Sequence, residues 1–171
     1  MDDEVGYRSA IHDGEFTFNA SELVRYGEQS DEGDHMTAKS LQHFKELKQL
    51  EYLWIPGPFL QPDSMGTIEG FNRLRELHAL HTAVDPLVLK RVAKLTSIKK
   101  LSIGVGVFDD EIKEILQSMQ HLELLQIYVV DVPYDEDYEL DRDPIENELN
   151  RILPNTKIHL ITHEELSWIT S

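Results

Sequence analysis

Four stretches of this chain align without a gap at a fixed spacing of 24 residues: L-x-x-L-x-I at 50–55, L-x-x-L-x-A at 74–79, I-x-x-L-x-I at 98–103 and L-x-x-L-x-I at 122–127. A constant period of this length marks stacked supersecondary units, none of which can bury its apolar face alone. The run FKELKQLEYLWI at 44–55 gives the form of one unit. Its apolar residues fall at Phe44, Leu47, Leu50 and Leu53, every third position, and then at Ile55. A helix turns about 100° per residue, so an every-third pattern drifts off any one face by about 60° per step. The spacing therefore predicts a helix ending near Leu47, then a short strand in which Leu53 and Ile55 alternate with Tyr52 and Trp54.

The remainder of each unit repeats as well. Five positions beyond the last strand residue stand Leu23, Leu60, Val84, Phe108 and Val132. Farther on, Phe44/Leu47, Ile68/Phe71, Val92/Leu95, Leu116/Met119 and Leu149/Ile152 keep the i,i+3 spacing of a helix face. Helix starts are expected at Thr37, at Asp85 before Pro86, at Asp109 and at Asp143 before Pro144, residues that cap exposed N–H groups. A fifth unit is expected at Ile152, Ile158 and Leu160 after a nine-residue insertion. A weaker first unit is expected at Phe16 and Phe18, followed by a thirteen-residue insertion.

On these motifs the chain resembles a leucine-rich repeat protein over roughly residues 13–161. The resemblance implies an α/β solenoid, with a parallel strand ladder on the concave side and short helices on the convex side. It departs from the family at the Asn of L-x-x-L-x-L-x-x-N-x-L, where Ser21, Pro58, Thr82, Gly106, Val130 and His163 stand. The expected organisation is one solenoid domain over 1–171. It comprises an irregular acidic N-terminal unit at 1–36, repeats at 37–161 and a capping helix at 162–171. Thr162 and Glu165 fit a capping box for that helix, with Leu166 and Ile169 on one face and Trp168 packed as part of the cap.

The net charge of −16 is unevenly spread. Residues 1–35 carry ten acids and two bases, residues 131–148 carry nine acids and one base, and residues 36–130 balance at eleven each. The acid-rich insertions at 24–36 and 131–143 are expected on one rim, where Asp135, Glu136 and Asp137 would face a basic protein and repel nucleic acid. The alternative is that both runs only solvate the chain. There is no 18-residue apolar run and no Cys, and the chain opens MDDEVGYRSA without a basic-then-apolar leader. These features point to no membrane association and to a cytoplasmic monomer.

Residues between the core positions of each strand face away from the helices. They form three columns: Glu15, Tyr52, Glu76, Lys100, Leu124, Lys157; then Thr17, Trp54, His78, Ser102, Gln126, His159; then Asn19, Pro56, Leu80, Gly104, Tyr128, Ile161. Tyr52, Trp54 and Tyr128 are the residue types that anchor binding hot spots, and His78, Lys100, Gln126 and His159 complete a mixed polar surface. Tyr52 and Trp54 could instead pack beneath an N-terminal segment. On this reading Ile103 points into the core while Ser102, one residue away, tolerates a charge.

His78-x-x-His81 and His159-x-x-x-His163 have possible ligand spacing, but no Cys and no H-E-x-x-H accompany them. His78 and His159 lie three strand steps apart, about 14 Å, too far to share one ion. The acids at 135–141 lack an EF-hand's glycine and spacing. No nucleophile elbow, P-loop or dinucleotide fingerprint occurs. The expectation is therefore a non-enzymatic protein–protein interaction module without metal or cofactor, binding through its concave face and acidic rim. Two alternatives are an inhibitor or immunity-type protein that blocks a basic enzyme, and a substrate-receptor subunit of a larger complex such as a ubiquitin ligase.

Overall fold

Tyr52 pairs with Glu76, Glu76 with Lys100, and Lys100 with Leu124, so three successive strand pairings share the 24-residue offset of the sequence motif. This computed structural model describes residues 25–27, 49–55, 60–130, 142–162 and 165. Its strands are β1 (Arg25–Gly27), β2 (Tyr52–Trp54), β3 (Glu76–Ala83), β4 (Lys100–Val105), β5 (Leu124–Val129) and β6 (Lys157–Leu160). They form one parallel sheet in the order of the sequence. The helices among the described elements are α1 (Pro62–Ile68), α2 (Pro86–Val92), α3 (Asp110–Gln117) and α4 (Arg142–Ile152). Each packs against the next in sequence.

The backbone repeats its hydrogen bonds at the same interval. Phe71, Leu95 and Met119 each donate an N–H to a carbonyl three residues back, at 2.9–3.0 Å, and Leu74, Ile98 and Leu122 do the same one turn later. Two tight turns in succession therefore carry each of these helix ends into its strand. The carbonyls of Glu51, Arg75 and Lys99 each accept two N–H groups from the next unit, which starts the ladder. Leu124 pairs with Lys157, an offset of 33 residues, so the nine-residue insertion lies wholly between β5 and β6.

Alternation along the strands places the core. Leu53, Leu77, Leu101 and Leu125 form one buried column, and Ala79, Ile103, Ile127 and Leu160 the next. Leu60, Val84, Ile68, Phe71, Val92, Leu116, Met119, Leu149 and Ile152 meet them, while Leu95 and Phe108 pack at the margin. Across the helix surfaces, Arg91 makes two bonds to Glu69 at 2.8 and 2.9 Å, and Lys90 meets Glu111 at 2.7 Å. Such exposed pairs are screened by solvent and contribute little to stability.

Two expected caps are in place. Asp85 Oδ1 accepts from Leu87 N at 2.7 Å, and Asp109 Oδ1 from Ile112 N at 2.9 Å. Asp143 is not a cap, because α4 begins at Arg142. Asp143 and Pro144 lie inside the first turn, where proline's missing N–H removes no helical bond. An unforeseen start precedes Pro62, where Ser64 Oγ accepts from Gln61 N at 3.0 Å and donates to Gln61 O at 2.8 Å.

The first strand needs the larger correction. Arg25 pairs with Tyr52 and Gly27 with Trp54, so the neighbours of β2 come from 25–27 and not from Glu15, Thr17 and Asn19. The segment 24–36, expected to be a rim insertion, thus contains a strand. Phe16, Phe18, Leu23, Thr37, Phe44, Leu47 and Val132 lie outside the described residues. No described helix is long and apolar enough to cross a membrane.

Candidate functional site

The sheet face away from the helices carries a row of side chains joined across four strands. His78 Nδ1 lies 2.7 Å from Ser102 Oγ. Ser102 Oγ donates to Gln126 Oε1 at 2.7 Å, and Gln126 Nε2 lies 3.3 Å from His159 Nδ1. His159 Nε2 continues to Glu165 Oε1 at 3.3 Å. Successive strands in register at about 4.8 Å hold equivalent side chains within hydrogen-bonding reach, so the register itself builds the row.

The chemistry of the middle members fixes the direction of the bonds. Because the Ser102 hydroxyl proton goes to Gln126, His78 Nδ1 must be a donor to Ser102 Oγ. The Gln126 NH₂ group can only donate, so His159 Nδ1 accepts and His159 Nε2 carries the proton facing Glu165. All four bonds therefore point from His78 toward the Glu165 carboxylate.

Each end of the row has a carboxylate. Glu76 Oε2 lies 3.7 Å from His78 Nε2, and its other oxygen accepts from Lys100 Nζ at 2.9 Å. The Tyr52 ring stands 5.0 Å from the His78 ring, tilted by 38°. At the far end Glu165 Oε2 accepts from Thr162 N at 2.8 Å, while Thr162 Oγ1 accepts from Glu165 N at 3.1 Å. These are the two reciprocal bonds of the expected capping box. The Thr162 N–H, helped by the hydroxyl and by His159 against the cost of burial, holds the Glu165 carboxyl below its ordinary range.

The sequence-derived residues divide as follows. Tyr52, Lys100, Gln126, Tyr128 and His159 share the sheet face with His78 and Trp54, and all are half-buried. Tyr128 packs against Leu80 and Ile161, which are 2% and 5% exposed, so part of the face expected to be open is a second small apolar cluster. Leu80 thus stays with two of its expected column mates, although β3 shifts register between Ala79 and Ala83 and it is Ala83 that pairs with Gly104. Asp135, Glu136 and Asp137 lie outside the described residues, as does Trp168.

Ser102, Glu76 and Glu165 belong to the site although sequence reasoning did not select them. The signal was present in the column His78, Ser102, Gln126, His159, whose alternating donors and acceptors link neighbours even where the two ends are too far apart to share an ion. Ser102 is also the clearest correction: at 1% exposure it is as buried as the core, although it points the other way. His78 and Gln126 flank it, each within 2.7 Å of its hydroxyl.

Glu76, His78 and Ser102 have the residue types of an acid, base and nucleophile. Here the imidazole donates to Ser102 Oγ, the hydroxyl proton is engaged by Gln126, and the hydroxyl is closed off from solvent. In that direction the imidazole does not take up the hydroxyl proton. Among the described residues no group of three or more His, Asp or Glu side chains could hold a metal ion. A cleft of about 640 Å³ lies elsewhere, between Val84, Asp85, Gly106, Val107 and Asp109, where strands give way to helices. No protein-family model matches the chain, and no curated protein is similar enough to it to count as a relative.

Proposed function

We propose that the chain is a leucine-rich-repeat-like solenoid that works as a non-catalytic protein-binding module, with the sheet face as its docking surface. The observation that carries this reading is the hydrogen-bonded row from His78 to Glu165, flanked by the half-buried aromatics Tyr52 and Trp54. A docking surface gains affinity when its polar groups are held in place before the partner arrives, because less side-chain freedom is lost on binding. Tyr and Trp add contact area with few rotors. The uneven charge of the sequence favours a basic partner, through steering and not through contact area.

Affinity capture from extracts of the cells that express the protein tests this reading, with wild type, Trp54→Ala and Glu114→Ala compared side by side. Glu114 is an exposed residue of α3 and serves as the helix-side control. The reading expects a bound protein that is lost with Trp54→Ala and kept with Glu114→Ala. Equal capture by all three, or loss only with Glu114→Ala, contradicts it.

A further inference from the structure

We infer that the cleft bounded by Arg73, Arg75 and Lys99 is an anion site that takes the phosphate group of a small phosphomonoester. The inference goes beyond the docking reading and does not rest on it, because this cleft lies at the edge where the chain enters β2, β3 and β4 and not on the sheet face.

The 24-residue register builds the cleft. Leu50, Leu74 and Ile98 are buried, and the residues on either side of each are half-buried or exposed: Gln49 and Glu51, Arg73 and Arg75, Ser97 and Lys99. Glu51, Asn72, Arg73, Arg75, Ser97 and Lys99 together line a cleft of about 470 Å³. That volume lies in the range of small-molecule sites, about 300–1,000 Å³. The carbonyls of Glu51, Arg75 and Lys99 each accept two N–H groups from the next unit, so the backbone carrying these side chains is held in place.

The charges of the cleft are unlike those of the helix surfaces. Lys90, Arg91, Lys113 and Arg151 on the helices each meet a carboxylate, with Glu111, Glu69, Asp110 and Glu148 as partners. Among the described residues, none of the three cations at the cleft does so. Arg73 donates to the neutral Gln49 side chain, Lys99 Nζ donates to the His121 carbonyl at 3.2 Å, and Arg75 has no side-chain partner. Arg75 therefore keeps every N–H of its guanidinium for a ligand, and Arg73 and Lys99 keep those not already engaged.

Glu51 lines the same cleft and opposes an anion. Three cations and one carboxylate still leave an excess of two positive charges. A phosphomonoester carries about −1.5 to −2 at pH 7, which matches that excess. The Asn72 amide and the Ser97 hydroxyl add uncharged donors beside the cations. A nucleic acid or other long polyanion would be repelled by the net charge of −16, whereas a single phosphate group is small enough to sit within the local positive excess.

Nuclear magnetic resonance titration of the full chain tests the inference, with inorganic phosphate, glycerol phosphate and acetate as probes at pH 7.5 and constant ionic strength. Both phosphates should shift the Asn72 and Ser97 amide signals saturably, glycerol phosphate with a Kd of about 1 mM or tighter. Arg75→Gln, or Arg73→Gln if the first variant does not give a cooperative melt, should weaken binding by about tenfold or more, because charge-assisted bonds are lost. Lys90→Gln, at a lysine that meets Glu111 on the helix surfaces, should bind as wild type does. Weaker binding of glycerol phosphate than this, acetate binding as tightly as glycerol phosphate, unchanged affinity in the folded arginine variant, or an equal loss in Lys90→Gln overturns the inference.

Discussion

His78 on β3 and Ser102 on β4 are joined at 2.7 Å, and Ser102 is 1% exposed, so a serine on the face opposite the core is as buried as the leucines behind it. The sheet thus has one apolar, continuous face and a second face on which a polar row lies beside the small apolar cluster of Leu80, Ile161 and Tyr128.

The first prediction concerns this pair. Ser102→Asp places a carboxylate against the Gln126 carbonyl oxygen in a site closed to water, and should destabilise the fold by about 1–3 kcal/mol or more. Ser102→Ala should cost less, because it removes the hydroxyl and adds no charge. Ile103→Asp, with its side chain in the core, should prevent folding. Circular dichroism melts rank the three. Ser102→Asp melting like wild type would contradict the buried row.

These two neighbours also show how much of the molecule was legible in the sequence. Alternation assigned Ser102 and Ile103 to opposite faces correctly, because the side-chain period of a strand is two. It could not report exposure, which depends on the length of the side chains in the adjoining strands. The 24-residue register, the nine-residue insertion before β6 and the caps at Asp85 and Asp109 were legible because each rests on a local rule. β1 was not. Arg25–Gly27 shows no apolar alternation and ends in glycine, and it is a strand because its backbone pairs with β2. The shift in β3 before Ala83 was hidden for the same reason, since Leu80 continues the alternation although the pairing does not.

The second prediction concerns His121. Its Nε2 is buried without a hydrogen-bond partner among the described residues, and burial, followed by the nearby Lys99 charge, lowers its pKa below the ordinary 6.5 against the opposing pull of a backbone hydrogen bond at Leu95. The unfolded chain therefore takes up a proton here before the folded one does. The contribution to stability is full above pH 6.5 and is lost as the pH falls through the lower folded value. His121→Gln should show a smaller drop in Tm between pH 7.5 and pH 5.5 than wild type. An equal or larger drop would contradict the placement.

The third prediction concerns the cap after β6. Thr162→Ala removes the acceptor for Glu165 N and should cost about 1 kcal/mol. Glu165→Gln should be nearly as damaging at pH 7 and harmless at low pH. The depressed Glu165 pKa stabilises the fold above its ordinary 4.5, and that contribution disappears as the carboxylate is protonated. Melts of both variants at pH 7 and pH 3.5 give the comparison.

The central claim is that the sheet face, not the helix face, meets a protein partner. Its most direct measurement is photo-crosslinking in the expressing cells, with a photoreactive residue at the exposed Lys157 of β6 in one variant and at the exposed Glu114 of α3 in another. The account predicts a discrete protein adduct from position 157 and none from position 114. An adduct at 114, or none at 157, would contradict it.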